Sequence, residues 1–261
     1  MFQNNLNVAV VQMNLIWEDV YANRLIINNK INSIYKKVDV IILPEMFTSG
    51  FTMNASKIAE PIHGKTISWL KKIAKEKQVA IIGSLIISDR EHYYNSMICI
   101  NPNGNITQYN KKHTFTLAGE HKVYKSGSKK VIFQYKGWKI CPLVCYDLRF
   151  PVWSRNTEDY DVLVYVANWP KPRINAWDTL LKARAIENMS YCIGVNRIGF
   201  DANGNEYPGH SAVYDVLGKR LDTIPKNKEI TEIIMLNKKH IKDNREKLGF
   251  LSDRDSFNLI T

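Results

Sequence analysis

The stretch Lys139-Ile-Cys-Pro-Leu-Val-Cys145-Tyr-Asp-Leu-Arg-Phe-Pro151 runs apolar from Ile140 to Val144 and then turns abruptly polar behind a thiol. A short apolar run of this kind reads as a buried strand, which here delivers the sulfur of Cys145 to the edge of a sheet. A tight turn at that point leaves a thiol exposed enough to act as a nucleophile. Read alone, the same cysteine is better taken as a small buried thiol of a core. Its meaning depends on what the rest of the chain places beside it.

Two other segments have the same construction. Val38-Asp-Val-Ile-Ile-Leu-Pro-Glu45-Met-Phe47 is a β-branched run that ends at Pro44 and then presents a carboxylate, at the carboxyl end of a strand, where open sheets carry their sites. Ile106-Thr-Gln-Tyr-Asn-Lys111-Lys112-His113-Thr-Phe115 is strand-like and closes on two adjacent amines. Taken singly, Glu45 and Lys111 read as solvated loop residues. Three strand ends bearing Glu, Lys and Cys form a chemical set.

An amide carbonyl is a poor electrophile, so a thiol attacking it needs a base to remove its proton and a cation or donor to hold the developing oxyanion. A free thiol ionises near pH 8.5, so Cys145 needs a cationic neighbour or an adjacent base. Lys111 and Glu45 offer one of each.

These segments resemble the three signatures of the nitrilase superfamily of carbon-nitrogen hydrolases: Leu-Pro-Glu45-Met-Phe, Tyr-Asn-Lys111-Lys-His-Thr-Phe and Leu-Val-Cys145-Tyr-Asp-Leu-Arg-Phe-Pro. The resemblance opens at Asn7-Val-Ala-Val-Val-Gln-Met-Asn14 and continues through Tyr165-Val-Ala-Asn-Trp-Pro170, Ala183-Arg-Ala-Ile-Glu-Asn188 and Gly209-His-Ser-Ala-Val-Tyr214. Ala118-Gly-Glu120-His and the run around Cys145 are most similar to the omega-amidase branch, which hydrolyses the side-chain amides of 2-oxo dicarboxylic acid monoamides.

The resemblance implies a four-layer αββα sandwich, with Cys145 as nucleophile, Glu45 as general base and acid, and Lys111 at the oxyanion with the backbone N–H of Tyr146. The preference for Lys111 over Lys112 comes from the family pattern alone. Glu120 resembles a second glutamate near the lysine that orients the amide, although a solvated loop carboxylate reads the same way. Asn168 and Trp169 are pocket walls by resemblance. Asp147 and Arg149 read either as a buried ion pair or as substrate contacts. The resemblance also implies a homodimer; the apolar residues of the tail from about residue 237 suit its interface, although a tail folded onto its own domain reads the same way, and the chemistry needs no metal or organic cofactor. Other amidases of the superfamily, carbamoyl-amine hydrolases and nitrilases use the same three groups. Against the last, nitrilases tend to carry Trp-Glu after the cysteine, where this chain has Tyr146-Asp147.

The bulk properties narrow the alternatives. At 261 residues the chain suits one large α/β domain over 1–261. No signal-like N-terminus or membrane-length apolar run is present, which leads to the expectation of a cytoplasmic protein without a membrane partner. Cys99, Cys141, Cys145 and Cys192 lack paired metal spacing. Neither zinc-ligand spacing at His113 and His121 nor a Gly-x-Ser-x-Gly elbow is apparent. The net charge is +11, from 36 Lys and Arg against 25 Asp and Glu, but the basic residues fall in scattered pairs such as Lys71-Lys72 and Lys238-Lys239. A nucleic-acid-binding protein would need them clustered on one face.

Hydrophobic periodicity gives strands over 8–12, 39–43, 79–87, 131–135, 138–144, 162–166, 191–196, 210–215 and 229–235, with a hairpin of 94–100 and 106–109 around Asn103-Gly104. Helices are expected over 19–36, 66–78 and 177–189, with another beginning near Pro151. The inward face of the first is expected at Val20, Leu25, Ile26, Ile31 and Ile34. From 236 the chain reads as a charged tail with scattered apolar residues. Alternating strands and helices imply helices outside and sheet inside.

Overall fold

The structure, a computed structural model, describes residues 4–259. The first half contains β1 (Asn5–Gln12), α1 (Val20–Asn32), β2 (Val40–Ile42), α2 (Ala55–Ile58), β3 (Glu60–Pro61), α3 (Lys65–Lys77), β4 (Ala80–Asp89), β5 (His92–Ile100) and β6 (Ile106–Asn110). Two short 3-10 turns come next, Thr116–Ala118 and Glu120–Lys122. The second half contains β7 (Phe133–Tyr135), β8 (Trp138–Val144), α4 (Pro151–Ser154), β9 (Val162–Ala167), α5 (Ile174–Asn188), β10 (Tyr191–Asn196), β11 (Ile198–Phe200), β12 (Glu206–Pro208), β13 (Ala212–Tyr214), β14 (Ile230–Asn237) and α6 (Lys238–Leu248).

The strands form two main sheets, one in the order β14-β1-β2-β4-β5-β6 with β3 on β4, the other β13-β10-β9-β8-β7. Each has a parallel centre, β1-β2-β4 and β8-β9-β10, extended by antiparallel neighbours. Side chains alternate across a strand, and both faces of each centre are covered. Val8, Val10, Val40, Ile42, Ala80 and Ile82 join the core between the sheets. Their neighbours Ala9, Val11, Ile41 and Ile81 pack with Ile27 and Ile31 of α1 and with Ile67, Leu70 and Ile73 of α3. On the far side, Trp177, Leu181 and Ala185 of α5 and Ile241 of α6 close the second sheet. The result is the four-layer αββα arrangement expected from the resemblance.

Four readings of the sequence change. The first helix stops at Asn32, capped by Asp19 at its start, and its inward face is Asn23, Ile27 and Ile31, while Leu25 is exposed. Asn23 is drawn in by hydrogen bonds with the backbone of Ile16 and Thr48, a polar anchor that hydrophobic periodicity does not register. The region after 236 begins with a helix, α6, started by the Asn237 side chain accepting from His240 N–H and ended at Gly249 with φ 65°. Ile241 ties that helix to the core of its own chain. Last, β11 and β12 form a hairpin that the strand reading omitted, and the short α2 and β3 were not expected either.

Candidate active site

The candidate side chains leave the two sheets at adjoining strand ends. Glu45 follows β2 and is fully buried. The turn that carries it is held on β4, where the hydroxyl of Ser84 accepts from Met46 N–H at 2.8 Å and its carbonyl accepts from Phe47 N–H at 3.2 Å. Lys111 follows β6 and is 1 % exposed. Cys145 follows β8 and opens a 3-10 turn, Cys145–Arg149, with φ at +44°. A non-glycine residue in that region is uncommon and costs backbone strain, so the turn must be held by its surroundings.

These residues converge on one cluster. The Lys111 ammonium lies 3.1 Å from Glu45 Oε1 and 3.0 and 2.9 Å from the two oxygens of Glu120. Asn95 Nδ2 donates to Glu45 Oε1 at 2.8 Å and to Glu120 Oε1 at 3.2 Å, bridging the two carboxylates. Asn168 holds the other side of Glu45: its N–H donates to Oε2 at 2.8 Å and its Nδ2 to the Glu45 carbonyl at 2.8 Å. Glu120 is fixed further by the N–H of Phe115. Cys145 lies close enough to this cluster for Glu45, Lys111 and Glu120 all to act on its thiol electrostatically.

Burial pushes the Cys145 thiol well above the ordinary thiol range, and the charge of Glu45 adds to the shift, while Lys111 opposes it. Burial and the Glu45 charge thus both favour the neutral form of the thiol. Burial disfavours a charged Lys111, but Glu120 and Glu45 outweigh that and hold its pKa above the usual lysine range. Burial raises the Glu120 carboxyl against the pull of Lys111, and the charge of Glu45 raises it too.

The cluster opens into a cavity of about 460 Å³ that Cys145 and Lys111 line together with the rings of Phe51, Phe115, Tyr146 and Trp169. Two guanidinium groups also line it, Arg149 lying 5.1 Å from the centre of the Trp169 ring and Arg173 lying 5.1 Å from that of Phe115. Among the described residues neither arginine has a carboxylate partner. The far wall is the tip of the hairpin β11-β12, where Asp201 is occupied by Asn203, Asn205 and Tyr207. No group of three His, Cys, Asp or Glu among the described residues is placed to hold a metal ion.

The carbon-nitrogen hydrolase sequence profile matches residues 7–242. The chain belongs to the carbon-nitrogen hydrolase family. It is 40% identical over 257 residues to the omega-amidase YafV of Yersinia enterocolitica, covering 98% of this chain and 100% of that protein. It is 39% identical over 191 residues to the 2-oxoglutaramate amidase of Bacillus subtilis, covering 71% of this chain and 73% of that one. Among solved structures it superposes with a TM-score of 0.95, at 37% identity and over 98% of this chain and 100% of the other, on a CN-hydrolase superfamily protein of Xanthomonas campestris that carries an arsenic adduct in its active site.

Within this carbon-nitrogen hydrolase fold the residues named from sequence meet at one site, with changes in detail. Glu120 is fully buried on Lys111, so the alternative of a solvated loop carboxylate is set aside. Asn168 lines the cavity, but its hydrogen bonds go to Glu45, so it orients that carboxylate. Trp169 also lines the cavity. Asp147 and Arg149 do not pair: Asp147 is buried among Tyr109, His113 and Val144, whereas Arg149 is exposed at the cavity. Asn95 and Arg173 were missed. Asn95 sits inside β5, where an asparagine is a poor strand former. That is a local conflict a sequence reading can register.

Proposed function

We propose that the protein is an omega-amidase, which hydrolyses the terminal amide of 2-oxo dicarboxylic acid monoamides such as 2-oxoglutaramate and 2-oxosuccinamate and releases ammonia. The observation that carries this reading is the pair of guanidiniums, Arg149 and Arg173, that have no carboxylate partner among the described residues and line the cavity together with Lys111 and Cys145. A desolvated carboxylate needs such a cation. An uncharged amide does not. The names of the YafV and Bacillus subtilis relatives point the same way.

In the proposed mechanism Glu45 takes the Cys145 proton as the sulfur attacks the amide carbonyl. The C–S bond forms, and the carbonyl electron pair moves onto oxygen. Lys111 and the Tyr146 N–H, at the start of the 3-10 turn where helical N–H groups lack intrahelical acceptors, receive that oxyanion. On collapse the C–N bond breaks, and Glu45 returns the proton to nitrogen, which leaves as ammonia. Water then attacks the thioester, giving a proton to Glu45, and the second collapse restores the thiol and frees the acid. The raised thiol pKa favours this base-assisted route over a standing thiolate. Glu120 and Asn95 keep Lys111 and Glu45 aligned.

Further parts of the proposal are a single domain over the whole chain, a homodimer and a cytoplasmic location. A core shared by both sheets supports the first, exposed apolar side chains on the tail support the second, and four free cysteines suit a reducing compartment. No helix among the described residues is long and apolar enough to cross a membrane.

The test is ammonia release from 2-oxoglutaramate, 2-oxosuccinamate and propionamide, with glutamine, an N-carbamoyl amino acid and a simple nitrile in parallel. We expect kcat/KM for the oxo acids to exceed that for propionamide by about two orders of magnitude or more, about 2.7 kcal/mol. Hydrogen bonds to charged groups contribute roughly 1.5–3 kcal/mol each, enough to supply it. Comparable rates for 2-oxosuccinamate and propionamide would remove the omega-amidase assignment while leaving the thiol chemistry in place.

A further inference from the structure

A second buried network lies beside the reacting groups and joins the lysine segment to the cysteine turn. Its centre is Asp147, fully buried and two residues past the nucleophile. Asp147 Oδ2 accepts from Val144 N–H at 3.0 Å, closing the turn that holds Cys145 at positive φ, and from the Tyr109 hydroxyl at 2.7 Å. Asp147 Oδ1 accepts from His113 N–H at 3.0 Å and lies 2.8 Å from His113 Nδ1, which carries the proton when it faces a carboxylate. The Tyr109 oxygen in turn accepts from Lys112 N–H at 3.1 Å and from Trp153 Nε1–H at 3.0 Å.

One carboxylate thus fastens the residue before Cys145 and, on the other segment, residues on both sides of Lys111. A stack of rings repeats the connection: His113 lies 3.7 Å from Phe150 with planes 4° apart, and Phe150 meets Tyr146 edge-on at 5.1 Å. Lys111 belongs to the first sheet and Cys145 to the second, so their separation is a distance between two sheets. Apolar contacts between sheets are non-directional and set such a distance loosely, whereas directed hydrogen bonds set it closely. A misplacement of about 1 Å at a reacting centre can cost on the order of a hundredfold in rate.

We infer that Asp147, Tyr109 and His113 form a positioning bracket that holds the Lys111 ammonium at its working distance from the Cys145-Tyr146 turn. None of the three needs to touch substrate. The bracket acts on the oxyanion site, which is engaged during reaction, so its loosening lowers kcat and leaves ground-state binding nearly unchanged. The thiol responds as well, because Lys111 is the neighbour that draws its pKa down.

The test compares Tyr109→Phe, His113→Ala and His113→Asn in the full chain. Asparagine places an amide donor near the position of Nδ1, so it is the conservative rescue. With 2-oxoglutaramate, a choice that rests on the function proposed above, Tyr109→Phe and His113→Ala should each lose at least tenfold in kcat with KM within threefold. His113→Asn should recover most of the loss. Independently of any substrate, alkylation of Cys145 by iodoacetamide, followed by intact mass, should slow at least threefold in the first two variants and return in the third. If the wild type does not turn over 2-oxoglutaramate, the functional reading fails and the alkylation series still decides the bracket. If Tyr109→Phe does not fold, the His113 pair carries the comparison, because that side chain is 20 % exposed and tolerates change. Unchanged kcat and alkylation rate per folded molecule, with only a lower melting temperature, would show the network to be structural. His113→Asn no better than His113→Ala would also overturn the bracket.

Discussion

Lys111 and Lys112 carry the same charge at adjacent positions, and the fold gives them opposite surroundings. The Lys111 side chain is 1 % exposed between Glu45 and Glu120, whereas Lys112 is half-buried with its ammonium 5.6 Å from the centre of the Trp153 ring. Only the first can reach a group bound over Cys145. Lys111→Ala should therefore lower kcat by about a hundred- to a thousandfold, while Lys112→Ala should stay within about threefold, measured as ammonia release per folded molecule. Losing one oxyanion donor costs about a hundred- to a thousandfold. Lys111 also neutralises two buried carboxylates, and stripping the partner from a buried pair costs about 3–5 kcal/mol of stability. A urea titration of both variants separates the two effects, because Lys112→Ala should leave the midpoint nearly unmoved. Equal kinetic losses in the two variants would mean that the oxyanion role belongs to neither lysine in particular.

At the scale of elements, what was legible came from period and punctuation. The limits of β8 are the predicted ones, since an apolar run bounded by Gly137 and Cys145 leaves no other register. The hairpin of β5 and β6 was readable from Asn101-Pro-Asn-Gly-Asn105, in which Gly104 takes φ +84°. Asp201-Ala-Asn-Gly-Asn205 repeats that pattern, and Asp201 N–H and Gly204 N–H close it with the same two hydrogen bonds. The signal for β11 and β12 was present but flanked by strands only three residues long, too short for alternation to register. The Glu, Lys and Cys of the site were legible because each ends a strand. Asn95 and Asn168 were harder, because their roles depend on pairing between distant strands. The same dependence makes Gly194 a sensitive position. A Cβ there would sit 2.4 Å from Leu181 Cδ1 and 2.7 Å from Trp177 Cζ2, both fully buried on α5. Gly194→Ala should cost about 1–3 kcal/mol by overpacking, read as a lower urea midpoint at unchanged slope. A midpoint within error of the wild type would mean that α5 moves freely on β10.

For the whole molecule, the open question is what covers the apolar side chains left outside the four layers. The helix α6 is accounted for within its own chain, because Ile241 is in the core and Arg245 donates to the carbonyls of Met189 and Tyr160. The expected interface segment from residue 237 is thereby reduced to the residues beyond Gly249. There Phe250, Phe257 and Leu259 are exposed, and Phe257 and Leu259 border a groove with Val152 of α4, itself 52% exposed. Such side chains at one edge suit a self-complementary contact between two copies, in which each tail meets the other's α4 region. Asp159 and Arg254 pair within one chain at 3.0 Å and anchor the start of that tail, so it need not be ordered by the partner. Sedimentation velocity should accordingly give twice the mass of one chain. Replacing Phe257 and Leu259 together by Asp should shift the protein toward monomer without lowering its ammonia release by more than about twofold, since neither residue lines the catalytic cavity. A wild-type protein that sediments as a monomer at micromolar concentration would refute the dimer. A double variant that remains dimeric would move the interface away from the tail.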